Sequence, residues 1–110
     1  MATEFKNKIV KEVGTSAVMS IETDSLTQTT VIGLKISNLT EYMVYAGILL
    51  RDADNVMGYF MKDIMIPANS SLHAVASGEK LILAENNQLF IVADEAASLD
   101  AIISYIEIRD

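Results

Sequence analysis

From Ile64 to Ile108 the chain is written as short apolar runs cut apart by turn chemistry. The runs are Ser71-Leu72-His73-Ala74-Val75, Lys80-Leu81-Ile82-Leu83-Ala84 and Gln88-Leu89-Phe90-Ile91-Val92-Ala93. Before the first stands Ile66-Pro67-Ala68-Asn69-Ser70, between first and second Ser77-Gly78-Glu79, and between second and third Glu85-Asn86-Asn87. Each break has a cause. Pro67 fixes its own φ and lacks an amide donor, Gly78 tolerates positive φ, and Asn86-Asn87 accepts the left-handed region. Runs too short for stable helices, separated by such turns, are how antiparallel sheets are encoded. The spacing predicts an all-β antiparallel sandwich or jelly-roll-like domain of about seven to nine strands.

The upstream half fits that prediction. Val18 to Thr23 has strand composition, and Thr23-Asp24-Ser25 with Thr27 to Thr30 reads as a polar connection. Thr30 to Leu39 alternates, with Ile32, Leu34 and Ile36 on one face and Gly33, Lys35 and Ser37 on the other. Tyr42 to Arg51 is almost continuously apolar, as expected of a central strand or a subunit contact. After the turn Asp52-Ala53-Asp54-Asn55 the pattern returns over Val56 to Ile64, with Met57, Tyr59 and Met61 alternating against Gly58, Phe60 and Lys62, which predicts a hairpin. Leu99 to Ile108 is ambiguous. Leu99, Ile102, Ile103 and Ile106 match a helical face with Ser98 as a cap, while Ile102, Ser104, Ile106 and Ile108 alternate as a strand does. Isoleucine density and the strands upstream favour a strand.

With 110 residues and 51% hydrophobic content, one core is expected. Residues 1–13 read as an N-terminal arm or first strand and residues 14–110 as a single sandwich domain. Cysteine and tryptophan are absent, so packing, sheet ladders or subunit contacts must hold the fold. The first thirteen residues interleave Lys6, Lys8 and Lys11 with Glu4 and Glu12 and lack the apolar stretch of an export signal. The longest apolar run, Met43 to Leu50, is far shorter than the ~20 residues of a spanning helix, so no membrane partner is expected.

Net charge is −7, and its placement is uneven: residues 1–13 carry three Lys and two Glu, whereas residues 14–110 carry five basic and thirteen acidic groups. An acidic body repels phosphate backbones, which argues against nucleic acid as a partner.

Chemistry is sparse. Gly14-Thr15-Ser16 lacks the second glycine and the Gly-Lys-Ser/Thr ending of a phosphate loop. Asp52-Ala53-Asp54 opens like a calcium loop, but Met57 and Asp63 stand where its glycine and bidentate glutamate belong. His73 is the only histidine, and no Gly-x-Ser-x-Gly element accompanies it. A small hydrolase or metal-dependent enzyme organised around His73 is the competing class. A free carbohydrate-binding module is a third, disfavoured by the scarcity of aromatic platforms. No catalytic residue, metal ligand or cofactor site is predicted, and Met19, Met43, Met57, Met61 and Met65 read as core filling or adaptable contact surface.

Phe5-Lys6-Asn7, Val13-Gly14-Thr15, Thr30 through Asn38, Ile66 through Leu72 and Ser104 through Ile108, in this order and spacing, resemble a group of small virion structural proteins of tailed bacteriophages. The resemblance implies an all-β, non-enzymatic component of the particle, located in the virion after synthesis in the host cytoplasm. Its role would be capsid decoration or cement, or alternatively a head-tail connector, collar or tail accessory protein. Its implied partners are other virion proteins, of the capsid or of the neck and tail, and copies of itself. Candidate subunit-interface residues are Phe5, Lys6, Lys8, Ile9, Val10 and Lys11, because residues 1–13 hold too few apolar groups to be anchored by their own packing. The sequence predicts that removing residues 1–13 leaves a folded body that no longer assembles.

Overall fold

The computed structural model describes residues 2–76 and 78–109. Its elements are β1 (Ala2–Val13), β2 (Val18–Glu22), β3 (Thr27–Asn38), β4 (Val44–Arg51), β5 (Met57–Ile66), β6 (Ser71–Val75), β7 (Leu81–Leu83), β8 (Gln88–Ala93) and β9 (Leu99–Arg109). All pairings are antiparallel. One sheet runs β1-β9-β3-β6 with β7 also on β3, and the other runs β2-β8-β4-β5. Consecutive strands alternate between the sheets through β1-β2, β2-β3, β3-β4 and β5-β6, the interleaving of a jelly roll.

The core lies between the sheets. Val31, Leu34, Ile36, Leu99, Ala101 and Ile103 face it from one side and Val44, Ile48, Ile66, Leu89 and Ile91 from the other. Alternation along β9 settles the ambiguous segment as a strand: Ile103 is 0% exposed while Ile102 is 51% exposed. Partners on both edges satisfy the β9 backbone, so the helical periodicity never comes into play.

The turns follow the local chemistry. Gly78 has φ 90, while Asn69 and Asn86 occupy the left-handed region at φ 53 and 65. Ser70 N donates to Pro67 O at 3.2 Å, and Asn87 N donates to Ala84 O at 3.1 Å. Ser77 of the first Ser-Gly-Glu break lies outside the described residues.

Three expectations are corrected. The polar segment Thr27 to Thr30 is the first third of β3, not a connection. Thr29 is fully buried because its hydroxyl accepts from Thr23 Oγ1 at 2.9 Å, and β7 and β9 pair with its flanks. Ile32 is not in phase with Leu34 and Ile36: the register on β9 slips between Val31 and Gly33, so Val31 takes the buried position. In β5, Met61 pairs with Ile48 on the core side while Tyr59 pairs with Leu49 on the outside, since the ladder slips at Phe60 and again beside Asp63.

Candidate assembly surfaces

Several carboxylates beside turns accept hydrogen bonds from backbone amides. Asp52 Oδ1 accepts from Asp54 N at 2.9 Å and Val56 N at 3.0 Å, closing the β4-β5 turn. Asp94 Oδ1 accepts from Tyr45 N, Asp100 Oδ1 from Glu12 N and Glu85 Oε2 from Leu26 N. His73 is exposed on β6, opposite Lys35 of β3. Among the described residues no group of three His, Cys, Asp or Glu side chains is placed to hold a metal ion, and every buried side-chain N or O atom has a partner. No described helix is long and apolar enough to cross a membrane.

What the fold presents instead is apolar surface. Ladder partners share a face, so the registers define rows across each outer surface. On the sheet containing β4, one row is Met19, Phe90, Leu49 and Tyr59. Gly47 beside it lets the Tyr59 ring and Val92 close over the backbone: a Cβ there would stand 3.1 Å from Val92 Cγ1 and 3.5 Å from Tyr59 Cε1. The adjoining row is polar. Arg51 Nε donates to Gln88 Oε1 at 2.5 Å, Gln88 Nε2 donates to Glu22 Oε2 at 2.7 Å, and the Arg51 guanidinium lies 5.0 Å from the Phe90 ring centre. On the other sheet a row runs Phe5, Ile106, Thr30, Ile82. Beside Ile82 a groove of about 530 Å³ opens, lined by Leu26, Gln28, Glu85 and Ile108.

The six candidate interface residues divide. Phe5 is 76% and Ile9 63% exposed, both on the outer face against Ile106 and Ile102. Lys8 and Lys11 are exposed. Val10 is corrected: at 7% exposed it belongs to the core, because β1 is covered by the second sheet only from this point on. Lys6 meets acids of its own chain. Lys6 Nζ lies 3.1 Å from Glu107 Oε1 and 3.7 Å from Glu4 Oε2, and Arg109 Nη2 lies 2.6 Å from the same Glu107 oxygen.

Burial pushes the Glu107 carboxyl up, but hydrogen bonds from Arg109 and Lys6, with their charges, outweigh it and hold the group below the usual carboxylate range. The hydrogen bond to Glu107 raises Lys6 above the ordinary lysine value, opposed by partial desolvation. Arg109 is raised by the same partner. Sequence reasoning missed Glu107 as a hub. The available signal was the alternation Tyr105-Ile106-Glu107-Ile108-Arg109, which puts two opposite charges on the same face of one strand.

No family model matches the chain, and no curated protein matches it. Among solved structures it is similar to a Bacillus protein from endospore appendages, described as a family of disulfide-linked pili. The TM-score is 0.59 at 9% identity, over 98% of this chain and 87% of that one. It is also similar to a chain in the structure of infectious bursal disease virus, Gx strain, with a TM-score of 0.55 at 10% identity over 96% of this chain. This chain spans 33% of that viral chain's length. At these identities the likeness is one of fold.

Proposed function

We propose that this chain is a non-catalytic structural subunit of a virion, one that decorates or cements a capsid through protein-protein contacts. The observation that carries the reading is the pair of apolar rows on the outer faces of both sheets, anchored by Phe5 and Ile82 on one and by Met19 and Tyr59 on the other. Isolated exposed apolar residues are ordinary, but contiguous rows mark contact surfaces. The fold it shares with a pilus protein and with a chain of a virus particle supports a building role. The residue resemblance described above supports the phage particle as the setting. The similar pilus protein belongs to a disulfide-linked family, whereas this chain has no cysteine, so disulfides do not supply its contacts.

Quantitative mass spectrometry of purified virions, with capsid and tail fractions separated, tests the proposal. Copies on the order of hundreds in the capsid fraction agree with decoration, and a ring-like stoichiometry of about a dozen in the neck or tail fraction moves the subunit to the connector or tail accessory role. Absence from both fractions refutes the proposal. An activity of the purified protein that His73→Ala abolishes, with the fold intact, would refute its non-catalytic character.

A further inference from the structure

Among the described residues, five strands have a free edge: β1, β6 and β7 in one sheet, β2 and β5 in the other. Four of them are blunted. The β5 ladder never runs more than three rungs before a slip, and Asp63 within it is left-handed at φ 50. β2 breaks after two rungs, β6 holds three rungs on one side of a slip, and β7 has three in all. Bulges and short lengths are the usual protection of an edge against pairing with another chain. β1 lacks both. Ala2 through Val10 face Arg109 through Ala101 one for one, nine consecutive rungs without a slip. Lysines are another protective device, but the Lys6 ammonium is drawn over the sheet by Glu107 and Glu4.

We propose that β1 is the self-association edge of this subunit, pairing antiparallel with β1 of a second copy about a two-fold axis at Phe5. The proposal rests on the assembly reading above and names the partner. Charge and length together select the register, because an axis at Thr3 leaves too few residues on its N-terminal side and one at Ile9 runs across the slip beyond Val10. In a two-fold antiparallel pair each residue faces its mirror position about the axis, and like charges directly opposite are destabilising. An axis at Glu4 opposes two glutamates, one at Lys6 opposes two lysines, and one at Asn7 sets Lys6 against Lys8. An axis at Phe5 sets Glu4 against Lys6 of the second copy and Lys6 against its Glu4, Thr3 against Asn7, and Lys8 against the neutral Ala2. The two exposed Phe5 rings then meet beside Ile106 of each copy. Net charge favours the same place. Residues 1–13 sum to +1, whereas residues 14–110 of each copy sum to −8, so contact through β1 keeps the two acidic bodies apart. The product is one continuous sheet joining β6-β3-β9-β1 of both copies.

The absence of cysteine makes single-cysteine variants of the full chain clean reporters. Across the axis the two position-5 Cα atoms would stand about 4.5–5.5 Å apart, inside the ~4.4–6.8 Å that a disulfide spans. The two position-9 atoms would stand eight residues apart along the strands, about 27 Å. With oxidised glutathione, Phe5→Cys is expected to form a covalent dimer at least tenfold faster than Ile9→Cys. Equal rates, or a faster Ile9→Cys, overturn the register.

Hydrogen exchange on the unmodified chain, dilute against concentrated, supplies a readout that leaves Phe5 in place. The expected result is at least tenfold extra protection within residues 2–10 at high concentration and no change in β5. Protection gained at β5 or β2 instead would overturn the β1 assignment while leaving the assembly reading standing. Concentration-independent exchange everywhere, with no preference for Phe5→Cys, would overturn self-association altogether.

Discussion

The side-chain amide of Asn38 donates to the carbonyl of Ile66 at 3.0 Å, tying the last residue of β3 in one sheet to the last residue of β5 in the other. The same nitrogen reaches Tyr42 O at 2.6 Å and Pro67 O at 3.2 Å, and Asn38 Oδ1 accepts from Thr40 N and Thr40 Oγ1. One buried amide therefore closes the β3-β4 crossover against the start of the β5-β6 crossover. Asn38→Ala strands these carbonyls and is expected to cost about 2–4 kcal/mol, read from denaturant midpoints. Asn38→Asp replaces the donor with an acceptor, so it should be as damaging at neutral pH and should recover stability as the new carboxylate protonates on acidification. A pH-independent loss would show that the amide does not act as a donor there.

The Glu107 network predicts a pH signature. A carboxyl held below its usual value contributes stability above the unfolded value of about 4.3 and loses it as pH falls through the folded value. Lys6, raised above its usual value, contributes fully below about 10.4 and loses that contribution as pH rises through the folded value. The stability difference between the wild type and Glu107→Gln is therefore a plateau across neutral pH that shrinks at both ends. With both cations open to solvent, the plateau is low. A difference that is flat into acid would remove Glu107 from the account.

Neighbouring isoleucines in β9 test the register. Ile103→Ala empties a core position and should cost about 2–5 kcal/mol, whereas Ile102→Ala, on the outer face, should cost within about 0.5 kcal/mol. Comparable losses at both positions would mean that β9 is set one residue out of phase.

Truncation separates folding from assembly, provided the cut respects the core. Sequence alone leads to the expectation that residues 14–110 stay folded. Val10 and Val13, however, are core residues, and β9 would lose the partner on one of its two edges, keeping only β3. Removing residues 1–8 spares both valines. That variant is expected to keep its near-native circular dichroism and to lose incorporation into particles, while removal of residues 1–13 fails to fold. Full incorporation of the shorter truncation would take β1 out of the contact.

The fold was legible because its punctuation is local. Pro67, Gly78 and Asn86 carry their turn chemistry in their own side chains, and the inward positions of β9 follow from two-residue alternation. The failures are non-local. Ile32 and Phe60 look regular in sequence, and only the ladder partners across the sheet reveal the slips beside them. Thr29 looks solvent-facing until the Thr23 hydroxyl and β7 are folded against it. Alternation of Phe5 and Ile9 against Lys6 and Lys8 is the pattern of a strand with its apolar face inward, yet both apolar residues are exposed. The cover that the second sheet gives Val10 is non-local as well, and the counter-charge of Lys6 lies 101 residues away in Glu107.

The most direct test of a building role is a cryo-electron microscopy reconstruction of purified virions. Density for the nine-stranded sandwich is expected on the particle, with β1 strands of adjacent copies antiparallel and facing each other at Phe5. Particles with no such density, together with the chain found only as a free monomer in the lysate, would contradict it.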